Sequence, residues 1–196
     1  MRITIHEGVP SDPLVRYAES AWKRLKLEPP VDLDSVRRFL KIRLSKKPLD
    51  PEICGMYIVT SKGRRMIQLN SLLDLSPTRK RWTIAHELGH HLMLPRDAAP
   101  GAFYDVKDNF TAELSGSTDE VRANRFAAEL LMPHWLVNKW YDELYSNPTG
   151  RIIIMADRFG VSISAMMIRL RELRLQSRNT SVRKRIIKEV DWNKGE

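Results

Sequence analysis

The chain has 196 residues, 42% hydrophobic and 29% charged, enough for one sizeable core with or without a small appended module. Its formal net charge of +9 suits an acidic partner such as nucleic acid, although a solvated basic surface is the commoner meaning of such a balance. A single cysteine, Cys54, excludes an intramolecular disulfide and argues against a thiolate metal cluster. No run approaches the ~18 apolar residues of a membrane span and residues 1–7 lack the apolar segment of a signal peptide, so a soluble, cytoplasmic protein is expected.

Residues 2–6 read as a short strand. Ser11-Asp12-Pro13 has the composition of a helix start, and Leu14, Tyr17, Ala18, Ala21 and Leu25 recur at helical spacing to about Leu27, before Glu28-Pro29-Pro30 ends the helix. A second short helix is expected over 36–40, capped by Asp32 or Asp34. Residues 41–45 alternate like a strand, and 46–52, with two prolines, read as a loop. Residues 55–60 and 65–70 read as two strands joined by a turn containing Gly63. An exposed edge of this hairpin would let an extended peptide add as a further strand; otherwise the hairpin only builds core.

The next helix, over 81–93 with a start signal at Ser76-Pro77-Thr78, carries the pattern H-E-x-x-H in His86-Glu87-Leu88-Gly89-His90. Helical spacing puts His86 and His90 one turn apart on one face, so two imidazoles can address one ion while Glu87 reaches a water beside it. Accidental occurrence in a chain of this composition is on the order of 1 in 100. Catalytic zinc takes three protein ligands and keeps a position for water, lowering its pKa to about 7, and Glu87 would accept that proton and pass it to a leaving amine. His91, about 100° round the helix from His90, reads as a neighbour supporting the site or as a packing residue, not as a ligand.

Residues 94–118, rich in Pro, Gly, Asp and single aromatics, show little regular pattern and read as a cleft wall or a lid. Tyr104 in this stretch is a candidate donor to the oxyanion of the reaction, with a surface tyrosine as the alternative. A helix capped near Ser117 or Thr118 follows, on which Glu120, Asn124, Ala127 and Leu131 share a face where small alanines permit close approach of another helix. Glu120, thirty residues after His90, is the candidate third ligand, Asn124 its supporting neighbour, and Asp119 the fallback. A helix over 135–145 comes next, with His134 read as structural. Residues 152–170 match a helix-turn-helix pattern in which Ala156 lets the helices cross, Gly160 serves the turn, and Val161 and Met166 plug the core. Residues 151–196 hold eleven Lys/Arg against five Asp/Glu, so Arg169 and Arg171 are candidate nucleic-acid contacts. A packing role for the helix pair is favoured, because its second helix offers few side chains able to reach bases.

The stretches Thr83-Ile84-Ala85-His86-Glu87-Leu88-Gly89-His90 and Glu120-x-x-Ala123-Asn124-x-Phe126-Ala127-Ala128-x-Leu130-Leu131-Met132-Pro133 resemble the ImmA/IrrE family of bacterial and phage metallopeptidases. The resemblance runs from Pro30-Val31-Asp32-Leu33 through the hairpin to about Leu173. It implies a zincin-like α+β fold with His86, His90 and Glu120 on Zn²⁺ and Glu87 as acid/base. It also implies cleavage of helix-turn-helix transcriptional repressors, relieving repression. The end at Glu196 favours the shorter, phage or mobile-element type, without an extra C-terminal sensor domain. The organisation expected is a metallopeptidase domain over 1–148, a helix-turn-helix-like module over 149–175 packed on it, and a basic tail over 176–196. The alternative is a DNA-binding or repressor-binding regulator with an inactive peptidase site.

Overall fold

The structure, a computed structural model, describes residues 12–95, 97–106, 118–144 and 147–175, with the backbone alone for 103–106. The expected strand over 2–6, the cap at Ser117 and the tail over 176–196 lie outside the described residues. Among the described residues the chain is α+β, with seven helices and one small mixed sheet. The elements are α1 (Pro13–Leu25), α2 (Leu33–Phe39), β1 (Arg43–Lys47), β2 (Ile53–Val59), β3 (Arg65–Asn70), α3 (Pro77–Met93), β4 (Gly101–Val106), α4 (Thr118–Leu131), α5 (His134–Glu143), α6 (Pro148–Phe159) and α7 (Ile163–Glu172). None of the described helices is long and apolar enough to cross a membrane.

Local chemistry sets most boundaries. Asp12 Oδ1 accepts the Leu14 amide at 2.9 Å and Pro13 occupies the first helical position, which starts α1; Lys26, left-handed at φ 49°, ends it. Trp22, buried on α1, donates its indole N–H to the Leu130 carbonyl at 2.8 Å and so ties α1 to α4. The second helix begins three residues earlier than expected because Asp32 caps it, accepting the amides of Asp34 and Ser35. The first strand is displaced two residues toward the C-terminus, into part of the expected loop. The cause is Asn70, whose buried amide takes the Leu49 N–H and donates to the carbonyls of Asp50 and Ile53, wrapping the loop around the end of β3 and leaving Lys46 and Lys47 extended beside it.

The sheet order is β1-β3-β2-β4, with β1 parallel to β3 and the other pairs antiparallel. This corrects two expectations. The β2–β3 hairpin occupies the centre of the sheet and offers no edge for an added strand, since β1 flanks β3 and β4 flanks β2. The stretch after α3, read as irregular, contributes strand β4, whose backbone pairs with β2 from Gly101 to Val106. Helix α3 lies across β2 and β3 and packs α4 against it on its other flank. Tyr57, Ile67, Leu88, Phe126, Leu130 and Leu131 fill the space between, and Ile152, Met155, Phe159, Val161, Met166 and Leu170 from α6 and α7 belong to the same apolar cluster.

Candidate metal centre

Helix α3 is capped by Ser76, which accepts the Arg79 amide at 3.2 Å, and its first position is Pro77. Ten residues of regular helix then carry His86 and His90 to the interior, where they are 0% and 2% exposed with their Nε2 atoms 3.0 Å apart. Glu87, on the turn between them, is also fully buried. Glu120 enters from the first turn of α4, with one carboxylate oxygen 3.2 Å from His86 Nε2 and the other 3.2 Å from His90 Nε2. Asp119 does not share this position: it is exposed and faces Arg122 at 3.9 Å.

Two features make the meeting of α3 and α4 possible. A Cβ at Gly89 would stand 2.9 Å from Ala123 Cα, closer than van der Waals contact allows, so glycine and alanine set the separation of the helix axes. Asn124, one turn beyond Glu120, has its Oδ1 2.9 Å from His86 Nδ1. An amide oxygen can only accept, so His86 donates from Nδ1 and presents Nε2 toward His90 and Glu120. Burial alone would raise the Glu120 pKa, but hydrogen bonds and charge from the two imidazoles outweigh it and hold the carboxyl down at about 2. The acid is therefore ionised, the form in which carboxylate ligates.

The residues fit a metal ion. The two imidazole nitrogens stand 3.0 Å apart and each has one of the two Glu120 oxygens at 3.2 Å, so one donor atom from each residue lies within 4.8 Å of the others; a tetrahedral ion with bonds of about 2.0–2.1 Å sets its ligands roughly 3.3 Å apart.

The other predicted site residues fall as follows. His91 points its Nδ1 at the Tyr57 hydroxyl, 2.9 Å away, with the Arg65 guanidinium at 3.5 Å. Arginine cannot accept, so Nδ1 carries the lone pair; burial first and the Arg65 charge second lower the His91 pKa to about 4, leaving it neutral. His91 thus fastens the end of α3 to the sheet. Tyr104, in β4, pairs through its backbone with Met56 of β2, and its side chain lies outside the described residues. Arg171 is exposed on α7. Arg169 is corrected as a nucleic-acid contact: only 7% exposed, it donates Nε to the Met132 carbonyl at 3.0 Å and its guanidinium pairs with Glu129 and Glu172.

That arginine belongs to a second cluster of histidine and carboxylate that sequence reasoning missed. Glu129 accepts the His134 amide at 3.1 Å and meets His134 Nδ1 at 2.6 Å, while Glu19 lies 3.9 Å from the same nitrogen. Burial pushes the Glu129 pKa up, but the His134 hydrogen bond and the Arg169 charge bring it below the ordinary value. The signal was a lone glutamate inside the apolar run Phe126-Ala127-Ala128-Glu129-Leu130-Leu131, since a carboxylate there requires a buried partner.

A family model described as the IrrE N-terminal-like domain, of peptidase family M78, matches residues 39–171. The "Uncharacterized immunity region protein 2" of Bacillus phage phi105 is 32% identical over 118 residues, covering 60% of this chain and 67% of that protein. The "Radiation response metalloprotease IrrE" of Deinococcus radiodurans is 33% identical over 97 residues, covering 49% of this chain and 28% of the relative. Its namesake in Deinococcus deserti is 34% identical over 110 residues, covering 55% and 36%. The match therefore spans about a third of the two radiation-response proteins. The family model covers more than half of the chain and takes in both metal-facing helices, and the chain belongs to the ImmA/IrrE family of metallopeptidases.

Proposed function

We propose that this chain is a cytoplasmic, zinc-dependent endopeptidase of zincin-like fold and two-histidine, one-glutamate type, which cuts a protein substrate at one or a few sites. The observation that carries the reading is the triangle formed by the buried His86 and His90 with the half-buried Glu120, with Glu87 buried on the intervening turn. A helix-turn-helix repressor is the substrate class favoured, in keeping with the similarity to a phage immunity-region protein, and the short phage or mobile-element type follows from the same likeness.

His86, His90 and Glu120 would hold the ion, and Asn124 would keep His86 in the tautomer that presents Nε2. Zinc supplies Lewis-acid polarisation of the scissile carbonyl and acidification of the attacking water. Glu87 takes the proton from that water as its oxygen bonds to the carbonyl carbon, then delivers it to the amide nitrogen as the C–N bond breaks.

Glu87→Gln removes the proton acceptor and no ligand. Elemental mass spectrometry should find about one zinc per chain in the variant as in the wild type, while cleavage of the repressor encoded beside it falls roughly 10²–10⁴-fold. Cleavage at the wild-type rate would overturn the mechanism. Wild-type cleavage that survives complete chelation would overturn the enzyme class.

A further inference from the structure

The helix pair α6–α7 has the outline of a nucleic-acid reader, but its contacts lead inward to the two helices that carry the donor triangle. At one end, Arg81, in the part of α3 that precedes His86, donates Nε to the Gly160 carbonyl at 3.0 Å. Gly160 is left-handed at φ 63°, and a Cβ there would stand 2.9 Å from Pro30 Cβ and 3.1 Å from Arg81 Nε, so the turn between α6 and α7 is pressed directly onto α3. At the other end, Arg169 of α7 reaches Glu129 and the Met132 carbonyl, at the opposite end of α4 from Glu120. His134 holds the other Glu129 oxygen, so α5 is bound into the same latch. The outward side of α7 is thin in base-reading chemistry: its exposed residues are Ser164, Arg171 and Glu172. The family match also runs to residue 171, through α7.

We propose that α6–α7 is a clamp for the metal centre, in which Arg81 and Arg169 are positioning residues that fix α4 against α3 and so bring Glu120 to the two histidines. The inference rests on the proposed reading of that triangle as a metal site. Its physical basis is that Glu120 sits at the start of α4, where a small rotation of the helix displaces the carboxylate, and that the Gly89–Ala123 contact and the Asn124–His86 bond both lie near that start, where they fix separation more firmly than tilt. Pins at Gly160 and at Glu129 add constraint at a distance from that start. A buried guanidinium with a directed Nε bond and a carboxylate pair gives an orientation that apolar contact does not.

The test uses the full chain and compares the wild type with Arg81→Ala, Arg169→Ala, Arg169→Lys and, as a control for general loss of packing, Val36→Ala in α2. Each is assayed well below its melting temperature. The readouts are zinc affinity by competition with a chromophoric chelator, and the visible spectrum of the Co²⁺-loaded protein, which reports ligand geometry. Arg81→Ala and Arg169→Ala should each weaken zinc binding roughly tenfold, the scale of lost support behind a ligand. Both should alter the Co²⁺ spectrum, with Arg169→Lys intermediate and Val36→Ala near wild type at a comparable loss of stability. Zinc affinity and spectrum unchanged in all the arginine variants would overturn the clamp while leaving the metallopeptidase reading in place. So would losses no greater than those of Val36→Ala. A wild type that binds no zinc would overturn both. Salt-dependent duplex binding that falls on Arg171→Ala, combined with unaltered zinc binding in Arg169→Ala, would return the helix pair to nucleic acid.

Discussion

Helix α4 carries a histidine–carboxylate cluster at each end, and the two differ in what balances the carboxylate. At its start, Glu120 shares itself between two imidazole nitrogens 3.0 Å apart, with one oxygen 3.2 Å from each. At its end, Glu129 has one oxygen on His134 and the other on the Arg169 guanidinium, and Glu19 stands off at 3.9 Å. Both groups are close enough, by residue type and distance, to be drawn as cation sites. The second already contains its cation, covalently part of the chain, so a metal there would have to displace an arginine held by a backbone carbonyl and a second carboxylate. Residue type thus leaves the role open, and what separates the two clusters is the geometry of the donors and the presence of a built-in positive charge.

The strongest way to break this comparison is to neutralise each glutamate in turn. Glu120→Ala should strip the chain of zinc, and with it of cleavage, while its melting temperature in chelator stays within a few degrees of the wild type. Glu129→Gln should do the reverse: zinc content stays near the wild-type value, but a buried guanidinium loses the buried one of its two carboxylates and keeps only Glu172, which costs roughly 3 kcal/mol. Calorimetry should register this as a fall in melting temperature of about 10 °C. If Glu129→Gln were to lose zinc at full stability, the two clusters would have exchanged roles.

A smaller effect tests the close approach that the first cluster needs and the second does not. Gly89→Val puts side-chain atoms where Ala123 Cα lies within 2.9 Å of the new Cβ, and overpacking of that kind costs about 1–3 kcal/mol. Zinc affinity should fall with it, whereas the Glu129–Arg169 pair, at the far end of α4, should keep its contribution. Equal stability and affinity in Gly89→Val would mean that the helices part without consequence for the site.

How far such features can be read from sequence follows from their range. The His86, Glu87 and His90 arrangement is legible because a spacing of four residues maps onto one face of a helix without reference to anything else. Glu120 is legible to the extent that it shares a face with Ala127, although its meeting with the histidines depends on Gly89, which declares nothing until the partner helix is known. Arg169 was misplaced because an arginine on an amphipathic helix normally points to solvent, and its anion lies 40 residues upstream. Strand β4 was hidden by Pro95, Pro100 and Gly101 around it, and it is a strand because β2 offers a ladder to pair with. The hairpin was legible as a pair of strands but not as the middle of a sheet, since order in a sheet is a non-local property.

The smallest effect concerns acid. The Glu129 carboxyl, with Arg169 and His134 against it, has a folded pKa below its ordinary value despite burial. A carboxylate depressed on folding contributes stability that is present above the unfolded pKa of about 4.3 and is lost as pH falls through the folded value. Below about pH 5 the melting temperature of the wild type should therefore decline more steeply than that of Glu129→Gln, which has no proton to take up at that position, and the two curves should converge as pH falls further. Chelator keeps metal release out of the measurement. Parallel curves over this range would show that Arg169 does not stabilise the charged form of Glu129. The second cluster would then owe its cohesion to packing alone, and the contrast with Glu120 would reduce to the spacing of the donors.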